Sequence, residues 1–272
     1  ATQVLFQQNQ AADGAAIYSQ EVNLLIQKSL FLDNKASNIV KVINKSATAD
    51  YNKEQLIENS TFAKNNGIAI SAHQGLTLNS LTVILNNGGI SYNNDAPAVF
   101  NSIIAGNNGQ DCLQFGALPN NTTPYFTNNI FQNGCNPGIA THHNRQISGT
   151  GDETLIADSN NDGICDRPPA VGLLCPLATN GGLTQSFKPR LLVSYWTIDD
   201  APIVNKAYTK LGINVGKSCS TSDQRDKPRL TDVNGDCDIG AVELQDIGAN
   251  TVPHQGQDIT YGQKLSLIYM RK

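Results

Sequence analysis

The chain has 272 residues, a formal net charge of −4, 39% hydrophobic and only 15% charged residues, with 23 Gly and 31 Asn. That composition excludes a coiled coil or helical bundle, which needs far more Ala, Glu, Lys, Leu and Arg, and it excludes a disordered chain, whose charge is higher and apolar content lower. Scattered Lys and Arg at this net charge exclude a nucleic-acid binder, and no apolar run reaches the roughly 18 residues of a membrane-spanning helix.

From the N-terminus, an apolar residue followed three positions later by Asn recurs. The copies are Phe6–Asn9, Phe31–Asn34, Phe62–Asn65, Val83–Asn86 and Ile104–Asn107, with a weaker one at Phe131–Gly134. Successive anchors stand 25, 31, 21, 21 and 27 residues apart, within the range of solenoid repeats. Upstream of the anchors lie the related stretches QKSLF, ENSTF, LNSLTV, FNSII and TNNIF; between copies lie Gly-bearing strand starts at Gly14–Tyr18, Gly67–Ile70 and Gly88–Tyr92. The pattern predicts short strands joined by sharp turns, with Asn59 and Thr61 outward and Ser60 and Phe62 inward. Asn9, Asn34, Asn65, Asn86 and Asn107 are expected at the turns, because Asn tolerates the left-handed conformation and stacked Asn side chains can bond each other. Asn52–Ile57 is the one fair helix signal, at most two turns. The expected fold is therefore all-β, a right-handed parallel β-helix, with an Asn-rich sandwich as the competitor.

Phe-x-x-Asn alternating with Gly-Ala-Ile-like strands resembles the repeats of chlamydial polymorphic outer-membrane proteins. The segment NSIIAGN at Asn101–Asn107 resembles the last regular coil of bacterial secreted β-helix proteins. Further on, PLATNGGLTQ (Pro176–Gln185), APIVNKA (Ala201–Ala207) and CSTSDQR…CDIGAVE (Cys219–Glu243) are similar to the C-terminal module of choice-of-anchor proteins. Asp226 stands where that module usually has Gly, and Ala201 where it has Ser. The resemblance spans roughly residues 1–245 and implies coils over 1–150 and a C-terminal module over 151–245; the polar stretch that follows, with Gly248, Pro253 and Gly256, reads as a linker, so 246–272 is taken as a linker with an orphan strand. It also implies an exported bacterial protein at the cell surface, and it assigns no activity. Order along the chain together with the resemblance suggests the disulfides Cys112–Cys135, Cys165–Cys175 and Cys219–Cys237, in keeping with an oxidising compartment.

The strongest candidate for site chemistry is Asp158-Ser-Asn160-Asn-Asp162-Gly163-Ile164-Cys165-Asp166. Oxygen side chains at alternate positions followed by Gly let a loop curl around a hard cation, so Asp158, Asn160, Asp162, the Ile164 carbonyl and Asp166 are candidate Ca²⁺ ligands. Position twelve is Pro169 rather than a bidentate Glu, so the loop is no EF-hand, and a plain Asx-turn loop is the alternative. A second string, Asp232-Val-Asn234-Gly-Asp236-Cys237-Asp238, is read as structural, with Asp238 and Glu243 pairing Arg225 or Arg229. Catalytic arrangements are weighed and not found. Lys28, Lys45, Lys53 and Lys64 stand singly; Asp199 and Asp200 are adjacent and would point apart; Asp95 and Asp111 lack a partner. His142-His143 reads as loop filler, and Trp196 with Tyr195 either stacks on a sugar or covers the core. The stretch Asp258–Met270 alternates like a strand with no sheet of its own; it either opens a further domain or adds to another molecule's sheet edge. The first coil is likewise expected to need a cap, from further sequence or from a partner. These readings converge on a non-catalytic surface scaffold that binds carbohydrate or protein; the alternatives are a polysaccharide lyase or glycoside hydrolase, and a filament subunit.

Overall fold

The computed structural model describes residues 1–20, 22–43, 55–72, 75–93, 97–115, 126–135, 144–150, 154–166, 172–190, 219–229 and 237–244. Strands are numbered in chain order. The first sheet holds seven: β1 (Leu5–Gln7), β4 (Leu30–Leu32), β7 (Thr61–Ala63), β10 (Thr82–Ile84), β13 (Ile103–Ala105), β16 (Ile130–Phe131) and β17 (Arg145–Gln146). The second holds β2 (Ile17–Gln20), β5 (Lys35–Ile43), β8 (Asn66–Ala72), β11 (Gly88–Tyr92) and β14 (Cys112–Gln114). The third holds β3 (Leu24–Gln27), β6 (Gln55–Glu58), β9 (Leu76–Asn79), β12 (Ala98–Phe100) and β15 (Phe126–Thr127). From β1 to β16 consecutive strands fall in different sheets, strands one full turn apart pair with each other, β17 pairs directly with β16, and the pairings between named strands are parallel. The chain is a stacked parallel β-solenoid, and no helix occurs among the described residues.

Register explains the repeat. Phe6 pairs with Phe31, Phe31 with Phe62, Phe62 with Val83, Val83 with Ile104, and Ile104 with Phe131, so one apolar column runs down the inside of the first sheet. Phe6 and Phe31 stack at 4.6 Å between centroids, and Phe31 and Phe62 at 4.2 Å. Ile17, Val40, Ile70, Ile90 and Cys112 form the matching column of the second sheet, and Ile26, Ile57, Leu78, Val99 and Phe126 that of the third. With side chains alternating at period two, every inward position meets the inward positions of the other two sheets. Loop length between strands is therefore free to vary, because only the anchor phase has to be kept.

Two expectations are corrected. Residues 55–57, the described part of the helix signal at Asn52–Ile57, belong to strand β6; Ile57 faces the core, and pairing to β3 and β9 on both sides outweighs two turns of helix propensity. Asn59 and Thr61 do not reach solvent, since they are 1% and 0% exposed. Thr61 lies on the outer face of the first sheet, and residues from the C-terminal part of the chain cover that face. Leu30, Leu32, Ala63, Ile84, Ile103, Ala105 and Ile130 form a second apolar cluster with Leu155, Leu173, Leu174, Phe187 and Ile239. The outer face of this sheet is thus a buried interface, which explains why its strands carry no alternating polar row.

Candidate binding surface

Each turn into the first sheet and each turn out of it has a fixed chemistry. At the exit, Gln8, Asp33, Lys64, Leu85 and Gly106 take positive φ of 56°, 53°, 55°, 61° and 65°. The residue that adopts the left-handed conformation is therefore the one before Asn9, Asn34, Asn65, Asn86 and Asn107, which corrects the expectation that the Asn itself does. The Asn serves instead as a bonded rung. Asn34 Nδ2 donates to Asn65 Oδ1 at 3.0 Å while the Asn34 backbone N–H donates to the same oxygen at 2.9 Å. Asn65 repeats this to Asn86, and Asn86 to Asn107. The remaining amide hydrogens reach carbonyls of the coil behind, Phe31 for Asn65 and Phe62 for Asn86. A residue buried at a strand corner has its polar atoms satisfied only if its neighbours repeat it, and this requirement holds the ladder together.

The ladder ends on Asp111. Asn107 Nδ2 donates to Asp111 Oδ1 at 2.8 Å, and the Gln132 and Asn133 backbone N–H groups donate to Oδ2 at 2.8 and 2.6 Å. Burial pushes the Asp111 carboxyl above its usual range, against the pull of these donors. At the turn into the first sheet the left-handed residues are Lys28, Asn59, Ser80, Asn101 and Asn128. The next residues make a second ladder: Ser60 Oγ accepts from the Ser29 N–H, Ser102 Oγ from the Leu81 N–H, and Asn129 Oδ1 from the Ser102 N–H. The sequence carries this pattern as the Lys-Ser, Asn-Ser and Asn-Asn pairs before Phe31, Phe62, Ile104 and Phe131, and it is interrupted before Val83, where Leu81 stands at the Ser position.

Outside the Asn ladder the same corner exposes two columns to solvent, Gln8, Asp33, Lys64 and Leu85, and beside them Gln10, Lys35, Asn66, Asn87 and Asn108. Asn87 Nδ2 donates to Asn66 Oδ1 at 2.5 Å. Neighbours in a column sit about 4.8 Å apart, the strand spacing. The corner is an array of amide, ammonium and carboxylate groups on the stacked coils, with Leu85 as an apolar member of the first column.

C-terminal residues are fastened to the first sheet by buried charge. Arg229 Nη1 lies 3.1 Å from Glu243 Oε2, Arg229 Nη2 donates to Asn59 Oδ1 at 2.8 Å, and Asp238 N–H donates to Glu243 Oε2 at 3.0 Å. Arg225 pairs with Asp223 at 2.6 Å and bonds the Glu243 carbonyl. Gln224 meets Thr61, and Ala241 N–H donates to Thr82 Oγ1 at 3.0 Å. Burial, with the Asp238 carboxylate adding to it, pushes Glu243 up to about 8 against the pull of Arg229. Of the pairings considered from the sequence, Glu243 takes Arg229; Asp238 offers Arg229 its carbonyl, and its carboxylate accepts the Leu244 N–H.

Cys112 is bonded to Cys135, Cys165 to Cys175 and Cys219 to Cys237. In the Asp-rich loop, Asp158 accepts from the Asp162 and Gly163 N–H groups at 2.9 and 3.1 Å, Asp162 Oδ1 from the Ile164 N–H at 2.8 Å, and Asp166 Oδ2 from the Ser159 N–H at 2.7 Å. Asn160 donates to Asp162 at 2.9 Å. The Asn160 and Asp162 oxygens accept the N–H two residues on, which makes Asx turns, and the Asp158 and Asp166 carboxylates accept N–H groups four to seven residues away in the same loop. Among the described residues no group of three or more His, Cys, Asp or Glu side chains converges as a metal site. Asp95, His142, His143, Tyr195, Trp196, Asp199, Asp200, Asp232, Asn234, Asp236, Lys45, Lys53 and the stretch 258–270 lie outside the described residues. Of the other lysines, Lys28 pairs with Asp226 at 2.5 Å.

No protein-family model matches the chain, and neither the curated proteins nor the solved structures give a significant match. No helix among the described residues is long and apolar enough to cross a membrane.

Proposed function

We propose that the chain is an exported, non-catalytic scaffold at a bacterial cell surface, whose exposed amide corner binds carbohydrate or a partner protein. The observation that carries this reading is the sealed outer face of the seven-stranded sheet. The broadest face of the solenoid is occupied by Leu155, Leu173, Leu174, Phe187 and Ile239, so a long substrate has no cleft there. What the solenoid presents instead is the column Lys35, Asn66, Asn87 and Asn108, which suits hydroxyl-rich or polar partners. Three disulfides support an oxidising, extracellular setting. We assign the solenoid a right-handed sense, in accord with the strong preference of parallel crossover connections.

The test is retention on an immobilised polysaccharide and protein panel, together with an assay for new reducing or unsaturated ends. The expected result is binding without cleavage, weakened at least tenfold in a double Asn66→Lys, Asn87→Lys variant whose melting temperature is unchanged. Release of new chain ends would replace the scaffold reading with an enzymatic one.

A further inference from the structure

Stacking of the coils forces a chemically labile step onto their corners. Five Asn among the described residues are followed by Gly: Asn66, Asn87, Asn108, Asn133 and Asn180. Packing requires several of these Gly. A Cβ on Gly67 would lie 2.0 Å from the Ala36 carbonyl oxygen, and one on Gly109 2.5 Å from the Asn87 carbonyl oxygen. Gly134 has φ 81°, and a Cβ there would lie 2.7 Å from Gln110 Cβ. With no side chain in the way, the backbone nitrogen of a Gly can approach the carboxamide carbon of the Asn before it. The structure separates the five steps. Gly67 and Gly88, whose nitrogens would have to move, belong to β8 and β11, and Asn87 Nδ2 donates to Asn66 Oδ1. Asn180 is half-buried, and its Nδ2 donates to the Ser186 carbonyl at 2.7 Å. Asn108 and Asn133 are exposed, and they and their Gly lie outside every strand. No acceptor among the described residues takes the Gly109 or Gly134 N–H. Both Asn flank the residue that closes the Asn ladder: Asn108 follows Asn107, which donates to Asp111 Oδ1, and the Asn133 N–H donates to Asp111 Oδ2.

We infer that Asn108 and Asn133 are modification sites, at which the folded chain deamidates spontaneously. The Gly nitrogen bonds to the Asn Cγ and gives up its proton, the Cγ–Nδ2 bond breaks, and ammonia leaves a five-membered succinimide. Water then adds to one of the two ring carbonyls and opens the ring, giving Asp, or isoAsp with one further carbon in the main chain. Each event exchanges a neutral amide for a carboxylate. At Asn108 it changes the last amide of the exposed corner column. At Asn133 it places a negative charge in the residue whose N–H holds the buried Asp111 carboxyl, where like charges repel. The closing end of the ladder is therefore the part of the solenoid that changes with age. The inference does not rest on the ligand-binding role of the corner, because the reaction needs only water.

The test is ageing of the full chain in mildly alkaline buffer, followed by digestion at low pH and peptide mapping by mass spectrometry. A sample kept in denaturant gives the rates of the unfolded chain. In the folded chain, conversion at Asn108 and Asn133 is expected to run about tenfold faster than at Asn66, Asn87 or Asn180, each of which must first break a hydrogen bond. In denaturant the five steps should convert at similar rates, since each has the same Gly after it. Asn108→Gln, an exposed substitution whose longer side chain does not close the five-membered ring, should abolish the mass gain in its own peptide and leave that at Asn133. The aged chain should melt at a lower temperature than the fresh one. If Asn108 and Asn133 do not convert ahead of the other three in the folded chain, over a time in which the denatured chain converts, the inference is overturned.

Discussion

Asn65 shows how much one buried amide holds. It accepts two hydrogen bonds from Asn34 and donates to Asn86 and to the Phe31 carbonyl. Replacing it with Ala leaves the Asn34 N–H and amide without an acceptor in a dry interior, so Asn65→Ala should cost about 2–4 kcal/mol in denaturant unfolding. Asn66→Ala, one residue further and exposed, should stay within about 0.5 kcal/mol. Equal effects at the two positions would contradict the ladder. Gly89 makes a steric case: a Cβ there would lie 2.2 Å from the Asp111 carbonyl oxygen and 2.8 Å from Ile104 Cγ2. Gly89→Ala must push coils apart, and a loss of more than about 2 kcal/mol is expected from the same measurement. Asp111→Asn tests the closing residue. Both carboxyl oxygens accept, one from Asn107 Nδ2 and the other from the Gln132 and Asn133 N–H groups, whereas Asn has a single acceptor and would set an NH2 against a donor, so it should destabilise by about 1–3 kcal/mol.

Among elements, the junction between the first sheet and the C-terminal residues is built on buried ionisable groups, and it should respond to pH. Glu243 has a folded value of about 8 against 4.5 for an ordinary Glu, so the folded state holds its proton more tightly. The stability from this group is complete below 4.5 and is lost as pH rises through about 8. Thermal melting followed across that window should show a falling transition temperature, and Glu243→Gln should flatten the fall. A rising transition in the wild-type chain over the same range would refute the assignment. The strands themselves explain what pattern reading could reach here. β7, β10 and β13 lie where Phe62, Val83 and Ile104 placed them, because an anchor with constant phase fixes register without any tertiary information. β6 was misread as helix because four residues of mixed propensity carry little signal, and its pairing partners lie about 20 and 30 residues away in sequence.

For the whole molecule, sealing the first sheet has a mechanical consequence. Cys219–Cys237 closes a loop spanning 18 residues within the segment that carries Arg225 and Arg229. A Cys219→Ser, Cys237→Ser variant should lose about 3 kcal/mol by the chain-entropy estimate. Partial detachment of the segment would bare Ile84, Ile103 and Ala105, so binding of a hydrophobic dye should rise before the solenoid melts. A single transition with no dye binding would show that cover and solenoid unfold as one unit.

The sequence alone determined the stacked all-β architecture, the inward columns and the Asn rungs, because each depends on spacing along the chain and on the conformational tolerance of single residue types. Only the tertiary structure decided which face of the solenoid is wet. Thr61, Thr82 and Ile103 occupy equivalent outward positions, yet their burial depends on residues 224, 239 and 241, more than 130 positions away. Local pattern encodes the direction of a side chain, whereas its contact with solvent depends on what the distant chain lays over it.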